Sequence, residues 1–81
     1  MGGHFPPVGT REVEAVLKHL GYEKRPQNGT SHVKWVKDEN GKRRVVIVDD
    51  NNAPFKDQAL AWIINPMGIT KKQFYEILAS L

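Results

Sequence analysis

The chain predicts a single α+β domain of order α-β-β-β-α-α, in which a three-stranded antiparallel sheet is covered by helices on one face. Three observations lead there. Apolar residues recur at helical spacing near both ends, at Val13, Val16, Leu17 and Leu20, and again at Leu60, Ile63, Ile64 and Met67. Between these stripes lie β-branched runs separated by turn residues, with Asn40-Gly41 the strongest hairpin signal. At 81 residues, 40% of them hydrophobic, the chain has material for one small core. Three strands are stable only with their apolar face covered, and the helices are the cover available.

The elements follow in order. Residues 1–9, rich in Gly and Pro, are expected to be a flexible tail, leaving 10–81 as the domain. Thr10 is the expected N-cap, and Glu12 suits the positive end of the first helix, which spans about residues 11–20. Gly21 supplies the left-handed residue that ends it. Tyr22 to Pro26 is a short strand, Gln27-Asn28-Gly29 a turn, and Ser31 to Lys37 the second strand. The third strand, Arg43 to Val48, returns from the turn at Asp38–Lys42. Asp49-Asp50-Asn51-Asn52 is an Asp/Asn run of the kind that satisfies turn backbone, though its oxygens could also suit Mg²⁺. Pro66 and Gly68 close the second helix, and Thr70 with Gln73 has the capping-box spacing that opens a third. Phe74, Ile77, Leu78 and Leu81 form the apolar stripe of that third helix. Trp35 and Trp62 could stack on bases, but both fall beside apolar positions and are expected in the core.

Composition excludes several classes. Without cysteine there are no disulfides and no thiolate metal sites, which suits a reducing cytoplasm. No apolar run approaches the roughly 20 residues of a membrane span, and the first residues lack the charged and apolar regions of a signal peptide. Three scattered histidines have no metal-ligand spacing, so no cofactor is expected. The net charge of +3 is unevenly placed. Residues 18–44 hold eight basic side chains against three acids, while each flank is slightly acidic. Such a patch fits a polyanion partner, and equally a solvated charged hairpin.

The second strand carries the chemistry. With period two, Val33 and Trp35 share one face, and His32, Lys34 and Val36 share the other. If the first pair meets the helices, His32 and Lys34 stand together on the open face. Gly29, Thr30 and Ser31 lead into them with backbone donors and two hydroxyls. RNA cleavage needs a base for the 2′-hydroxyl, an acid for the leaving 5′-oxygen, and positive charge for the phosphorane. Histidine can do either proton transfer near neutral pH. Lys34, Lys37, Arg43 or Arg44 could pair with phosphate oxygens. The residues alone leave this open against a surface histidine with no chemical task. His19, beside the first apolar stripe, and His4, in the tail, are weaker candidates.

The stretch Gly29-Thr30-Ser31-His32-Val33-Lys34-Trp35 resembles the Gly-Ser-His signature of the HicA (YcfA-like) mRNA interferase toxins. The helix around Phe55–Ile64, the turn Gly68-Ile69-Thr70 and the tail to Phe74 resemble that family's closing segment. Thr10-Arg11-Glu12-Val13 to Gly21-Tyr22 resembles its first helix, so the likeness runs from residue 9 to about 79. Thr30 stands between Gly29 and Ser31, where the common form has Gly directly before Ser-His. The resemblance implies a double-stranded-RNA-binding-domain fold and metal-independent endoribonuclease cleavage of mRNA. It further implies His32 as the catalytic residue and a HicB-type antitoxin that covers the site. The alternatives are a non-catalytic RNA-binding module of the same fold, an inactive homologue that acts only by binding its antitoxin, and a protein-interaction domain with an acidic partner.

Overall fold

The computed structural model describes residues 6–26 and 32–81. Within them the order is α1 (Thr10–His19), β1 (Glu23–Pro26), β2 (His32–Glu39), β3 (Lys42–Asp49), a 3₁₀ turn at Asp50–Asn52, α2 (Asp57–Met67) and α3 (Lys71–Ser80). The sheet runs β1-β2-β3, each neighbouring pair antiparallel. This is the expected α+β architecture, and it matches the fold of double-stranded-RNA-binding domains.

Local chemistry explains where the elements begin and end. The N-cap of α1 is Gly9 rather than Thr10, which becomes the first helical residue. The Gly9 N–H donates to the Glu12 carboxylate at 2.9 Å, but no side-chain cap hydrogen bond takes the place expected of the Thr10 hydroxyl. At the other end the Tyr22 and Gly21 N–H groups donate to the Leu17 and Lys18 carbonyls, with Gly21 at φ 94°. That pair of bonds is a Schellman motif, and the left-handed backbone is why glycine suits the position. Asn40 and Gly41 both have positive φ, as a two-residue type I′ hairpin requires. Gly68 ends α2 in the same left-handed conformation, and the Thr70 hydroxyl with Gln73 closes a capping box on α3.

The core lies between one face of the sheet and the three helices. Trp35, Val46 and Val48 from the sheet meet Val13, Val16 and Leu17 of α1, Leu60, Ile63, Ile64 and Met67 of α2, and Phe74 of α3. The domain also reaches further towards the N-terminus than residue 10. Val8 is buried, its backbone exchanges two hydrogen bonds with Phe55, and the Tyr75 hydroxyl donates to the Pro6 carbonyl. Residues 6–9 of the expected tail are thus fastened to the fold, because Val8 and the ring of Phe55 bury apolar surface together.

Two expected core residues lie outside. Trp62 is 64% exposed, because α2 turns the stripe Leu60, Ile63, Ile64 and Met67 inwards and Trp62 falls about 200° round the helix from Leu60. Leu81 is exposed because α3 stops at Ser80, one residue before the stripe would reach it.

Candidate functional site

The Asn40-Gly41 turn sets the β2–β3 register so that paired residue numbers add to 81: Glu39 faces Lys42, Trp35 faces Val46, and His32 faces Asp49. Side chains on one strand alternate between faces. With Trp35 and Val46 in the core, Val33, Lys37, Glu39, Lys42 and Arg44 share the helix-side face. His32, Lys34, Val36, Asp38, Arg43, Val45, Ile47 and Asp49 share the open face, joined from β1 by Glu23 and Arg25. The expected orientation of His32 and Lys34 away from the core is therefore what the fold produces.

His32 and Asp49 form the last cross-strand pair of the hairpin. His32 Nε2 lies 3.2 Å from Asp49 Oδ2, with the imidazole 55% exposed and the carboxylate only 19%. The other carboxylate oxygen, Oδ1, accepts the Asn51 backbone N–H at 3.0 Å and caps the 3₁₀ turn. The Asp/Asn run is thus a turn, as its composition predicts, and its first residue also reaches the histidine. Among the described residues no group of three or more His, Cys, Asp or Glu side chains is close enough to hold a metal ion together.

The sequence-predicted cations separate in two ways. Lys34 is on the His32 face, half-buried, and flanked across the strands by Arg25 and Ile47. Among the described residues it has no carboxylate within ion-pair distance, whereas Arg25 is paired with Glu23 at 3.1 Å. Arg43 shares the open face but is paired with Asp38 at 3.2 Å and sits opposite the far end of β2. Six residues of strand put it about 20 Å from His32, so the two cannot hold one phosphate.

Lys37 and Arg44 are on the other face. The Lys37 ammonium lies 5.7 Å from the centre of the Tyr22 ring. The Arg44 guanidinium bonds Glu39 at 3.0 Å and donates to the Pro66 carbonyl at 3.4 Å, at the negative end of α2. Burial raises the Tyr22 hydroxyl above its ordinary pKa, Arg44 opposes this and Glu39 adds to it, so the phenol is neutral at physiological pH. A concave surface at the hairpin tip, lined by Glu39, Asn40, Lys42, Arg43 and Arg44, is distinct from the His32 end. Gly29, Thr30 and Ser31 lie outside the described residues.

Sequence reasoning passed over Asp49 as a partner of His32, and Arg25 beside Lys34. The signal for Asp49 was present: a two-residue turn at Asn40-Gly41 fixes which residue faces which for as long as the ladder persists. It passed over the apolar strip too. Val45 and Ile47 are exposed on the open face, Ile47 at 53%, beside the buried Val36.

A sequence model of the family described as the HicA toxin of bacterial toxin–antitoxin systems matches residues 10–69. The chain belongs to the HicA toxin family. The match takes in α1, the whole sheet and α2, and so contains both His32 and Asp49. Helix α3, where the resemblance seen in the sequence continued to about residue 79, lies beyond it. No curated protein and no solved structure compared with the chain matches it. As a HicA toxin it is the toxin component of a toxin–antitoxin pair and has an antitoxin partner; the family is generally one of ribonucleases. Among the described residues no helix is long and apolar enough to cross a membrane.

Proposed function

We propose that this toxin is an mRNA endoribonuclease of the cytoplasm, that His32 is its catalytic residue, and that a HicB-type antitoxin silences it by covering the open face of the sheet. The observation that carries the reading is the position of His32. Within a HicA family match, it is an exposed imidazole on the open face of the sheet, two residues along the strand from Lys34, which among the described residues has no carboxylate within ion-pair distance. The imidazole takes the proton of a ribose 2′-hydroxyl, and the 2′-oxygen forms a bond to the adjacent phosphorus. The bond from phosphorus to the 5′-oxygen breaks, and that oxygen leaves with the bonding pair and takes a proton from water. Lys34 and Arg25 offset the charge of the phosphorane. Gly29, Thr30 and Ser31, just ahead of His32 in sequence, supply further donors. No step calls for a metal ion.

The exposed apolar pair Val45 and Ile47, beside the buried Val36, supports the antitoxin reading. An apolar patch rimmed by charge is the kind of surface a protein partner buries. The test is incubation of purified toxin with mRNA in EDTA, analysed by product length and end group. Fragments ending in a cyclic or 3′-phosphate are expected from the parent, with cleavage lowered by about 10²–10⁴ in His32→Ala. A variant that cuts at the parent rate would remove His32 from the mechanism. Salt-sensitive binding without fragments from the parent would leave an RNA-binding module in its place.

A further inference from the structure

We infer that Asp49 is the positioning residue of this site: it holds the His32 imidazole in the tautomer with the proton on Nε2, so that Nδ1 is the nitrogen that accepts the proton of the 2′-hydroxyl. The inference rests on the reading of His32 as the base.

Three features of the fold converge on it. First, the hairpin register makes Asp49 the direct cross-strand partner of His32 on the same face, so the two meet without either strand distorting. Second, the contact is made by one identified nitrogen, Nε2, at 3.2 Å from Oδ2. An ionised carboxylate only accepts hydrogen bonds, so a neutral imidazole meeting it through Nε2 carries its proton there and its lone pair on Nδ1. Third, the carboxylate is itself held. Its Oδ1 accepts the Asn51 N–H at 3.0 Å at the start of the 3₁₀ turn, and its side chain is far less exposed than the imidazole. One oxygen is held by the turn, and the other lies within ion-pair distance of the ring nitrogen. A fixed acceptor orients the imidazole and stabilises the imidazolium formed when Nδ1 takes up a proton, without being protonated itself; that is the division of labour between the aspartate and histidine of a serine-protease triad, with the two ring nitrogens exchanged.

The test pairs spectroscopy with kinetics. Asp49→Asn keeps an oxygen to accept the Asn51 N–H and presents an amide N–H₂ to the ring, so Nε2 must become the acceptor and the proton moves to Nδ1. Asp49→Ser keeps an acceptor for the turn but is too short to reach the ring. Toxin labelled with ¹⁵N in histidine is observed by long-range ¹H–¹⁵N correlation at a pH where the imidazole is neutral. His32→Ala assigns the His32 signals, and His4 and His19 serve as internal references. The parent is expected to show the Nε2-protonated form at His32, Asp49→Asn the Nδ1-protonated form, and Asp49→Ser a mixture like that of the reference histidines.

Cleavage of a fixed RNA should fall about 10- to 100-fold in kcat for both variants, with little change in KM. A parent protonated on Nδ1, or an Asp49→Asn spectrum unchanged at His32, overturns the inference. So does an unchanged kcat in both variants. A purely structural role for Asp49 would lower thermal stability in Asp49→Ser without inverting the tautomer in Asp49→Asn. Should His32→Ala cut RNA at the parent rate, the ribonuclease reading of His32 falls, while the tautomer measurement still reports whether Asp49 holds the ring.

Discussion

On the helix-side face of the sheet, Lys37 lies over the Tyr22 ring and Arg44 reaches Glu39 and the end of α2. On the open face, Lys34 and Arg25 stand beside a histidine whose Nε2 lies 3.2 Å from the Asp49 carboxylate. These cations come from the same strands and the same basic stretch of sequence. What separates them is strand parity. Lys37 and Arg44, facing the helices, are drawn into holding the domain together; on the open face Arg25 and Arg43 pair with surface acids, and among the described residues Lys34 has no carboxylate partner. A count of basic residues in the middle third of the chain overstates the charge available at the site, because part of it is turned to the other side and part lies at the hairpin tip.

The largest expected effect separates chemistry from stability. His32→Ala should lower cleavage by about 10²–10⁴ while leaving the unfolding free energy within about 0.5 kcal/mol, since its side chain is exposed. Trp35→Ala, three positions along the same strand and on the other face, should cost about 3–5 kcal/mol in denaturant unfolding. That is a large part of the total stability of a domain this size. If His32→Ala unfolded the chain, or Trp35→Ala left it intact, the division into two faces would fail.

Charge reversal sharpens the comparison. Lys34→Glu should weaken RNA binding and reduce the dependence of affinity on salt by about one phosphate contact, with stability little changed. Lys37→Glu should leave RNA binding nearly as it was and cost about 0.5–1 kcal/mol of stability through loss of the contact with Tyr22. Equal effects of the two on RNA affinity, measured by titration at several salt concentrations, would show that both faces bind RNA. Ile47→Asp tests the apolar strip. Antitoxin affinity should fall by at least about tenfold, as a charge takes the place of an apolar contact, while the fold tolerates a change at this exposed position.

The smallest effect belongs to the covered face. Among the described residues the buried Tyr22 hydroxyl has no hydrogen-bond partner. Tyr22→Phe removes a polar group that costs free energy to bury, so stability should stay within about 1 kcal/mol or rise. A loss beyond that in thermal unfolding would mean the hydroxyl makes a stabilising hydrogen bond.

Much of this was legible in the residues. The helical stripes, Gly21, Asn40-Gly41, Gly68 and the Thr70–Gln73 box each act over a few residues, and each produced the element it predicts. Strand parity put His32 opposite Trp35 because period two is a property of any strand. Even the pairing of His32 with Asp49 could be counted from the two-residue turn. Elsewhere local signals could not decide. Gly9 caps α1 because the Glu12 side chain folds back to it, and Val8 belongs to the core only because Phe55, remote in sequence, comes to meet it. Trp62 looks like a core residue until the rotation of α2 turns it to solvent.

The sequence by itself thus determined the order of elements, the glycine-terminated helix ends, the hairpin turn and the alternation along each strand, which depend on backbone conformation and near neighbours. The tertiary structure decided which face of the sheet the helices cover, and with it which cations serve the fold and which stand beside His32. Burial is a relation between segments far apart in the chain, and no short-range pattern contains it.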